Sequence, residues 1–268
     1  MNYTQIKTSR SKCIIAAVIF LCVVIAVFIY RFLTWGSNVH LDEPIPGEEV
    51  FIRQAVAKTL NKDWLELTED DFVKITELEI SNKTLSHIKY IMKFPNLQKL
   101  YLENIKVPQP DLPTGKAFLV SCRIIKQPDW GVLDLSPLTN LQKLQILKIH
   151  NTDIESLKPL LSFKNLKEFS LGSEQLTRQI QIPNLKYIKK LNKLEILRIN
   201  NIKSFEIKLV KNLKNLQSLY VSYTKISNLD PIKGLTNLRE FYIRDCNNIS
   251  DQQVDELQKA LPNLKIYK

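Results

Sequence analysis

Apolar residues recur at fixed spacing from about residue 75 to the last residue of the chain. In the stretch 216–243 one frame of apolar positions is completed and then begins again: Leu216, Leu219, Val221, Ile226, Leu229, Ile232, Leu238, Phe241 and Ile243. The frame repeats after 22 residues, which is the separation of Leu219 and Phe241. A fixed period of this length is typical of a solenoid, in which each unit buries its apolar side only against its neighbours.

Each unit contains a short alternating run that predicts one β-strand. In Leu219-Tyr220-Val221 two apolar residues flank an outward tyrosine, which is the pattern of a strand with one buried face. Strand centres are predicted near Leu78, Leu100, Phe118, Leu147, Phe169, Leu197, Leu219 and Phe241. The longer steps between some centres mark inserted loops, at 126–131 and 175–187. Stacked units would form a curved parallel sheet on the concave side of the solenoid.

The repeat resembles the leucine-rich repeat, and its 22-residue form resembles the internalin-like bacterial subclass. The resemblance covers roughly residues 75–268 and rests on Leu-x-x-Leu-x-Leu cores and on recurring Asn-Leu pairs. It also rests on three proline turns: Leu135-Ser-Pro-Leu138, Leu157-Lys-Pro-Leu160 and Leu229-Asp-Pro-Ile232. It implies an α/β leucine-rich repeat solenoid, with a curved parallel sheet on the concave side and short helices, 3-10 turns and loops on the convex side.

One position departs from that family. Its members place asparagine where each strand turns away, so that the amide satisfies backbone groups in a ladder. Here the position holds other residues: Lys83, Ile105, Thr152, Glu174, Ile202, Thr224 and Cys246. Asparagines stand one place earlier in four units, at 82, 104, 151 and 201. Either the ladder is incomplete or the frame shifts by one residue in those turns.

Helical segments are predicted on both sides of the repeats. Residues 51–60 carry apolar side chains on one helical face, and Thr68 precedes an acidic first turn as a helix N-cap. Ser250 and Gln253 form a capping box before a second helix, and a last strand follows at 264–266. These segments resemble the caps of bacterial leucine-rich proteins, which implies an amino-terminal cap at 50–74, repeats at 75–249 and a carboxy-terminal cap at 250–268.

An uncharged apolar segment precedes the first cap. Cys13–Tyr30 would form about 27 Å of helix, against a bilayer hydrocarbon core of about 30 Å. The segment predicts one transmembrane helix at 13–33, between a tail at 1–12 and a linker at 34–49. A cleaved signal peptide is the alternative, although bulky side chains fill the exit of the segment and only Gly36-Ser37 suits cleavage.

Charge predicts the side of the membrane on which the repeats lie. Three cations precede the apolar span and one follows it, which favours a cytoplasmic amino terminus and periplasmic or extracellular repeats. The whole chain has a formal net charge of +11, but Lys and Glu are mixed along the exposed positions, as on a solvated repeat surface. Because no nucleic-acid-binding motif accompanies this excess of basic residues, we expect no nucleic-acid partner.

The cysteines and histidines do not form a recognisable chemical site. Cys122 and Cys246 lie about five units apart, so their sulfurs would be on the order of 25 Å apart, far beyond disulfide reach. None of His40, His87 and His150 has a second histidine or a cysteine at ligand spacing. We expect no metal, no cofactor, no small-molecule substrate and no catalysis; an enzyme with an unrecognised site is a remote alternative.

The outward strand positions supply the candidate partner-binding residues. They are tyrosines and cations, of which tyrosine and arginine dominate binding hot spots: Tyr101, Lys148, His150, Arg198, Tyr220, Tyr223, Tyr242 and Arg244. Tyr220 and Tyr242 occupy equivalent positions in adjacent units and should lie about 5 Å apart. An aromatic ladder that only stabilises the sheet is the alternative explanation.

These patterns together predict a non-catalytic, membrane-anchored repeat protein. Its concave surface would bind a protein or another macromolecule outside the cytoplasm, and the membrane would be contacted through residues 13–33. Two alternatives remain open. One is a structural envelope protein without a specific concave-face ligand, and the other is a secreted repeat protein after signal cleavage.

Overall fold

The computed structural model describes residues 48–85, 87–108, 131–173, 180, 182 and 184–268, all within one compact unit of the chain. The predicted tail, the predicted anchor at 13–33 and most of the linker lie outside these residues, as do Phe118 and Cys122. Among the residues that are described, no helix combines the length and the apolar character needed to cross a membrane.

The described part of the chain contains one eight-stranded parallel sheet, in which the order along the chain is also the order in space. Each strand has three to five residues: β1 (Glu77–Ser81), β2 (Lys99–Glu103), β3 (Ile146–His150), β4 (Glu168–Gly172), β5 (Ile196–Asn200), β6 (Ser218–Tyr220), β7 (Glu240–Tyr242) and β8 (Lys265–Tyr267). The inward residues align in one row: Leu78, Leu100, Leu147, Phe169, Leu197, Leu219, Phe241 and Ile266.

This row confirms seven of the eight predicted strand centres. β2 pairs directly with β3 along its whole length, from Lys99 opposite Ile146 to Glu103 opposite His150. β2 and β3 are thus direct neighbours, and the strand predicted near Phe118 lies outside the described residues. In the described parts of the connection between β2 and β3, Val107 and Gly131 form an antiparallel bridge.

The convex side consists of 3-10 turns that return the chain to the next strand. Three of them have proline in their first two positions: Ser136–Asn140, Lys158–Ser162 and Asp230–Ile232. Proline suits this place because its φ is already helical and the first turn needs no backbone N–H donor. Each of these turns buries one apolar side chain: Leu138, Leu160 and Ile232. The proline turns predicted from the sequence are thus the convex wall of the core.

Two helices begin the described chain and cover the first strand. In α1 (Glu48–Leu60), Ile52 and Val56 are buried in the core that runs through the units. α2 (Glu69–Val73) is held by Asp71, which accepts hydrogen bonds from the Thr68 backbone and from Lys62 and Lys74 at 2.8 and 3.0 Å. The Lys62 hydrogen bond, followed by that from Thr68, lowers the pKa of the Asp71 carboxyl well below its usual range. The predicted N-cap and its acidic turn are confirmed.

The last repeat is followed by α3 (Asp251–Ala260) and β8. Ser250 Oγ accepts from the Gln253 backbone, and Gln253 Oε1 accepts from the Ser250 backbone, which is the predicted capping box. Lys233 joins this helix to the preceding unit through ion pairs with Asp230 at 2.6 Å and Glu256 at 3.0 Å. The helix and the last strand predicted from the sequence are therefore present, and β8 pairs with β7.

The turns after the strands account for the missing consensus asparagine. The asparagines that stand one place earlier adopt a left-handed backbone, with φ of 56°, 51°, 51° and 57°: Asn82, Asn104, Asn151 and Asn201. Asparagine tolerates this conformation better than most residues that have a Cβ. At the consensus position Thr152 donates to the His150 carbonyl at 2.9 Å, whereas Ile105 and Ile202 are buried in the core. The ladder is incomplete there, and the asparagines support the turn instead.

A ladder of asparagine amides does exist, but it runs before the strands. The Nδ2 atoms of the Asn-Leu pairs donate to backbone carbonyls one unit earlier: Asn96 to Val73 (2.7 Å), Asn165 to Gln142 (3.0 Å), Asn215 to Asn192 (2.7 Å) and Asn237 to Lys214 (2.8 Å). Each bond satisfies a backbone carbonyl that would otherwise be unpaired where the chain turns into the next strand. The recurring pairs in the sequence therefore mark bonds between units.

Gly172 is required where β4 meets β5. Its φ is +144°, and a Cβ there would lie 2.1 Å from the carbonyl oxygen of Asn200. We expect Gly172→Ala to lower the free energy of unfolding by about 2 kcal/mol or more, because the clash is with backbone. Gly234→Ala is the matched control, since its Cβ would meet only the flexible Lys214 amine at 3.3 Å, and we expect a change within about 1 kcal/mol. Urea unfolding followed by circular dichroism measures both, and equal midpoints would contradict the assignment.

Candidate partner-binding surface on the concave face

One row of outward side chains crosses the concave face and is called here the central column. It contains the middle outward residue of every strand: Glu79, Tyr101, Lys148, Ser170, Arg198, Tyr220, Tyr242 and Tyr267. Neighbouring strands are about 4.8 Å apart, so side chains in adjacent places of the column must contact each other. Five of the eight residues predicted to bind a partner lie in this column.

Three tyrosines of the column form a continuous stack. The rings of Tyr220 and Tyr242 have centroids 4.2 Å apart at 7°, and those of Tyr242 and Tyr267 are 4.2 Å apart at 8°. The guanidinium of Arg198 lies 4.4 Å from the Tyr220 ring centroid, in cation–π contact. Because the ring faces contact one another, the stack offers a partner mainly ring edges and hydroxyls.

Burial raises the pKa of Tyr242, the middle ring of the stack, to about 12. The hydrogen bond with Tyr267 is the next cause, and the nearby Tyr220 and Glu240 act in the same direction. The phenol of Tyr242 is therefore neutral throughout the physiological range. It can take part in hydrogen bonds without bringing charge to the surface.

The other half of the column forms ion pairs within the sheet. Glu168, whose side chain is only 13% exposed, pairs with Lys148 at 3.0 Å and with Arg198. The Lys148 amine also lies 5.3 Å from the Tyr101 ring centroid, and His150 Nε2 is 2.7 Å from Ser170 Oγ. The predicted residues Tyr101, Lys148 and His150 thus contact their neighbours in this half, apart from the tyrosine stack.

A cleft of about 560 Å³ opens beside the stack and is called here the tyrosine cleft. Its lining includes the three stacked rings together with Tyr223, Arg244 and Asn200. Four predicted residues are therefore brought together: Tyr220, Tyr223, Tyr242 and Arg244. Arg198 reaches them through its contact with Tyr220.

Sequence reasoning missed five residues of the cleft, among them Tyr267 and Asn200. Tyr267 directly follows the inward Ile266 of the predicted last strand, so continuing the alternation by one residue would have placed it in the column. The importance of Asn200 depends on burial: its Oδ1 is buried and accepts no hydrogen bond in the part of the chain that the structure describes. No local pattern in the sequence carries that information.

Tyr223 has an unusual backbone for an aromatic residue. Its φ is 58°, in the left-handed region that asparagine or aspartate occupies in the equivalent turns. A residue with a Cβ pays roughly 1–2 kcal/mol for this conformation, and asparagine is one of the few that adopt it readily. Such strain is concentrated at functional sites more often than elsewhere. The ring of Tyr223 is held at the cleft against the local preference of the chain.

The structure offers no evident metal centre within these ranges. Among residues 48–85, 87–108, 131–173 and 184–268, no three His, Cys, Asp or Glu side chains are grouped so that they could hold a metal ion. Cys246 is a buried free thiol whose Sγ lies 3.1 Å from the Val221 carbonyl oxygen. The tyrosine cleft is suited to contact through rings, hydroxyls and the guanidinium of Arg244.

The comparisons with known proteins support the fold. Residues 214–259 match the family described as Leucine Rich repeats (2 copies). The chain is similar to the solved structure of an internalin (InlF) from Listeria monocytogenes, with 21% identity and a TM-score of 0.58 over 85% of this chain and 59% of that one. It is also similar to internalin C2 (InlC2) of the same organism, with 24% identity and a TM-score of 0.54 over 84% and 97%. No curated protein sequence matches.

The raised pKa of Tyr242 predicts how stability depends on alkaline pH. The unfolded phenol loses its proton near pH 10, whereas the folded one keeps it to about 12. Its contribution to stability is therefore complete below about pH 10 and is lost as the pH rises towards 12. In an ultraviolet tyrosinate titration we expect a late component that Tyr242→Phe diminishes, while Tyr101, whose pKa burial also raises, keeps its share. Tyr187→Phe, outside the column, should leave the late component at its full size, and a Tyr242→Phe titration that does the same would contradict the assignment.

Proposed function

We propose that this chain, with its leucine-rich repeat fold and internalin-like structural neighbours, is a non-catalytic scaffold that binds a protein partner on its concave face. Stacked repeats create extended concave surfaces that are commonly used for binding. The observation that carries the proposal is the tyrosine cleft, where three stacked rings, Tyr223 and Arg244 line one opening.

The composition of the cleft suits recognition of a protein. Tyrosine and arginine are enriched in binding hot spots, and tyrosine with serine and asparagine also dominates antibody combining sites. Stacking has already fixed the rings, so little side-chain entropy remains to be lost when a partner binds. A ladder that served stability alone would explain the stack, but it would not require the strained Tyr223 backbone beside it.

We propose further that residues 13–33 anchor the protein in a membrane, with residues 1–12 in the cytoplasm and the repeats outside it. The support is the uncharged apolar run and the excess of cations before it. Partners would then be envelope or extracellular proteins.

Replacing Tyr220, Tyr242 and Arg244 together by alanine tests the binding face. We expect recovery of the specific partner in affinity capture to fall at least tenfold, because hot-spot residues each contribute more than 1 kcal/mol or so. The matched control replaces three exposed lysines of the convex turns, Lys158, Lys189 and Lys211, and should leave recovery unchanged. Circular dichroism checks the fold of both variants. Equal recovery by the two would favour a structural envelope protein.

Protease protection on intact cells tests the anchor. With a carboxy-terminal tag, we expect a full-length, membrane-associated band that external protease digests. A shortened band released from the membrane would indicate signal cleavage and a secreted protein. Complete protection in cells with a permeable wall would contradict the proposed orientation and place the repeats in the cytoplasm.

A further inference from the structure

We infer that the tyrosine cleft binds an acidic peptide segment of the partner, with Arg244 pairing to an aspartate or glutamate carboxylate. This inference rests on the proposed binding function and adds the chemical class of the segment that is recognised. Two groups that line the cleft, the Arg244 guanidinium and the Asn200 carboxamide, carry it.

Arg244 is the cation of the cleft that lacks a counter-ion within the described residues. Its side chain is exposed and forms no ion pair there. Three cations differ: Lys148 and Arg198 share Glu168, and Lys268, which also lines the cleft, pairs with Asp251 at 2.5 Å. A guanidinium is always charged and matches a carboxylate with two parallel hydrogen bonds. The cleft therefore has room for one additional negative charge.

Asn200 supplies the second group. Its Oδ1 is buried, yet it accepts no hydrogen bond from any residue that the structure describes. A buried acceptor without a donor is unfavourable, and native proteins leave few of them. The Asn200 carboxamide also has two donors, and because Asn200 lines the cleft its amide nitrogen can donate to a peptide carbonyl there. An extended peptide could therefore accept a hydrogen bond from Asn200 while its acidic side chain reaches Arg244.

The same geometry disfavours nucleic acids and polyanionic glycans. Bases and sugar rings are recognised by stacking on free aromatic faces, but both faces of Tyr242 are covered by its neighbours at 4.2 Å and Tyr220 is covered by Tyr242 and Arg198, which leaves the outer face of Tyr267 for stacking. Polyanions are recognised by runs of cations along a groove, whereas the cleft provides one unpaired guanidinium. Ring edges and hydroxyls around a single positive charge fit a peptide better, and the volume of about 560 Å³ lies in the usual range for ligand sites.

Tyr223 is the residue that we expect to determine selectivity. Asparagine at this place would relieve the left-handed strain, as in the equivalent turns, but it would remove the ring from the cleft. Tyr223→Asn should therefore melt at the same temperature as the natural chain or higher while binding the peptide more weakly. A purely structural role for the ring would instead lower the melting temperature.

The inference is tested with pools of hexapeptides that carry one fixed residue (Asp, Glu, Asn, Gln or Lys) among random ones. Fluorescence anisotropy measures their binding to the purified full-length chain. We expect the Asp and Glu pools to bind at least tenfold more tightly than the Asn and Gln pools, as for a charge-assisted bidentate pair. Arg244→Gln should abolish this preference. Arg239→Gln, an exposed arginine outside the cleft, should retain it.

Three outcomes would overturn the inference. They are equal binding of the acidic and amide pools, an unchanged preference in Arg244→Gln, and tighter Arg244-dependent binding of a heparin-derived hexasaccharide than of the acidic pools. If partner capture depends on the concave face but the pools show no acidic preference, the inference fails while the proposed function stands. If capture is also unaffected, both fail.

Discussion

The parallel pairing of eight short strands is the constraint on which the rest of the structure depends. No unit can bury its apolar row alone, so each is stable only between neighbours that continue the same register. The convex proline turns, the asparagine ladder before the strands and the caps on either side all maintain that register. Gly172 shows how tight it is, because even one methyl group there would collide with the backbone of the next strand.

The same register creates the surface that we assign to binding. The spacing of the paired strands is enough to bring the rings of Tyr220, Tyr242 and Tyr267 into contact. It also brings Lys148 and Arg198 to the two sides of Glu168, so that charge in that half of the column is compensated internally. The tyrosine cleft differs because its positive charge and its buried amide oxygen are not satisfied by the described chain. The column therefore has one self-contained half and one half suited to a partner.

Much of this architecture could be predicted from the sequence, because period and capping are local properties. The strand centres, the proline turns and the Ser250 capping box follow directly from residue spacing. The direct pairing of β2 with β3 could not be predicted, because an apolar residue at a plausible spacing does not reveal whether its segment pairs in the sheet. The backbone of Tyr223 and the buried oxygen of Asn200 could not be predicted, since both depend on how adjacent units meet. Tyr267 was overlooked although the alternation was visible.

The aromatic contacts in the cap and on the surface are of different kinds. Phe72, Tyr90 and Phe94 meet edge to face in the core, the arrangement that aromatic rings favour, with interplanar angles of 69° to 85°. The surface rings lie nearly parallel because the backbone aligns them. The backbone of the sheet therefore sets how these side chains are aligned, whichever residue type occupies each position. Evolution can exchange one member of the column for another residue and change the chemistry of the surface in steps of one repeat, while the leucines beneath stay unaltered.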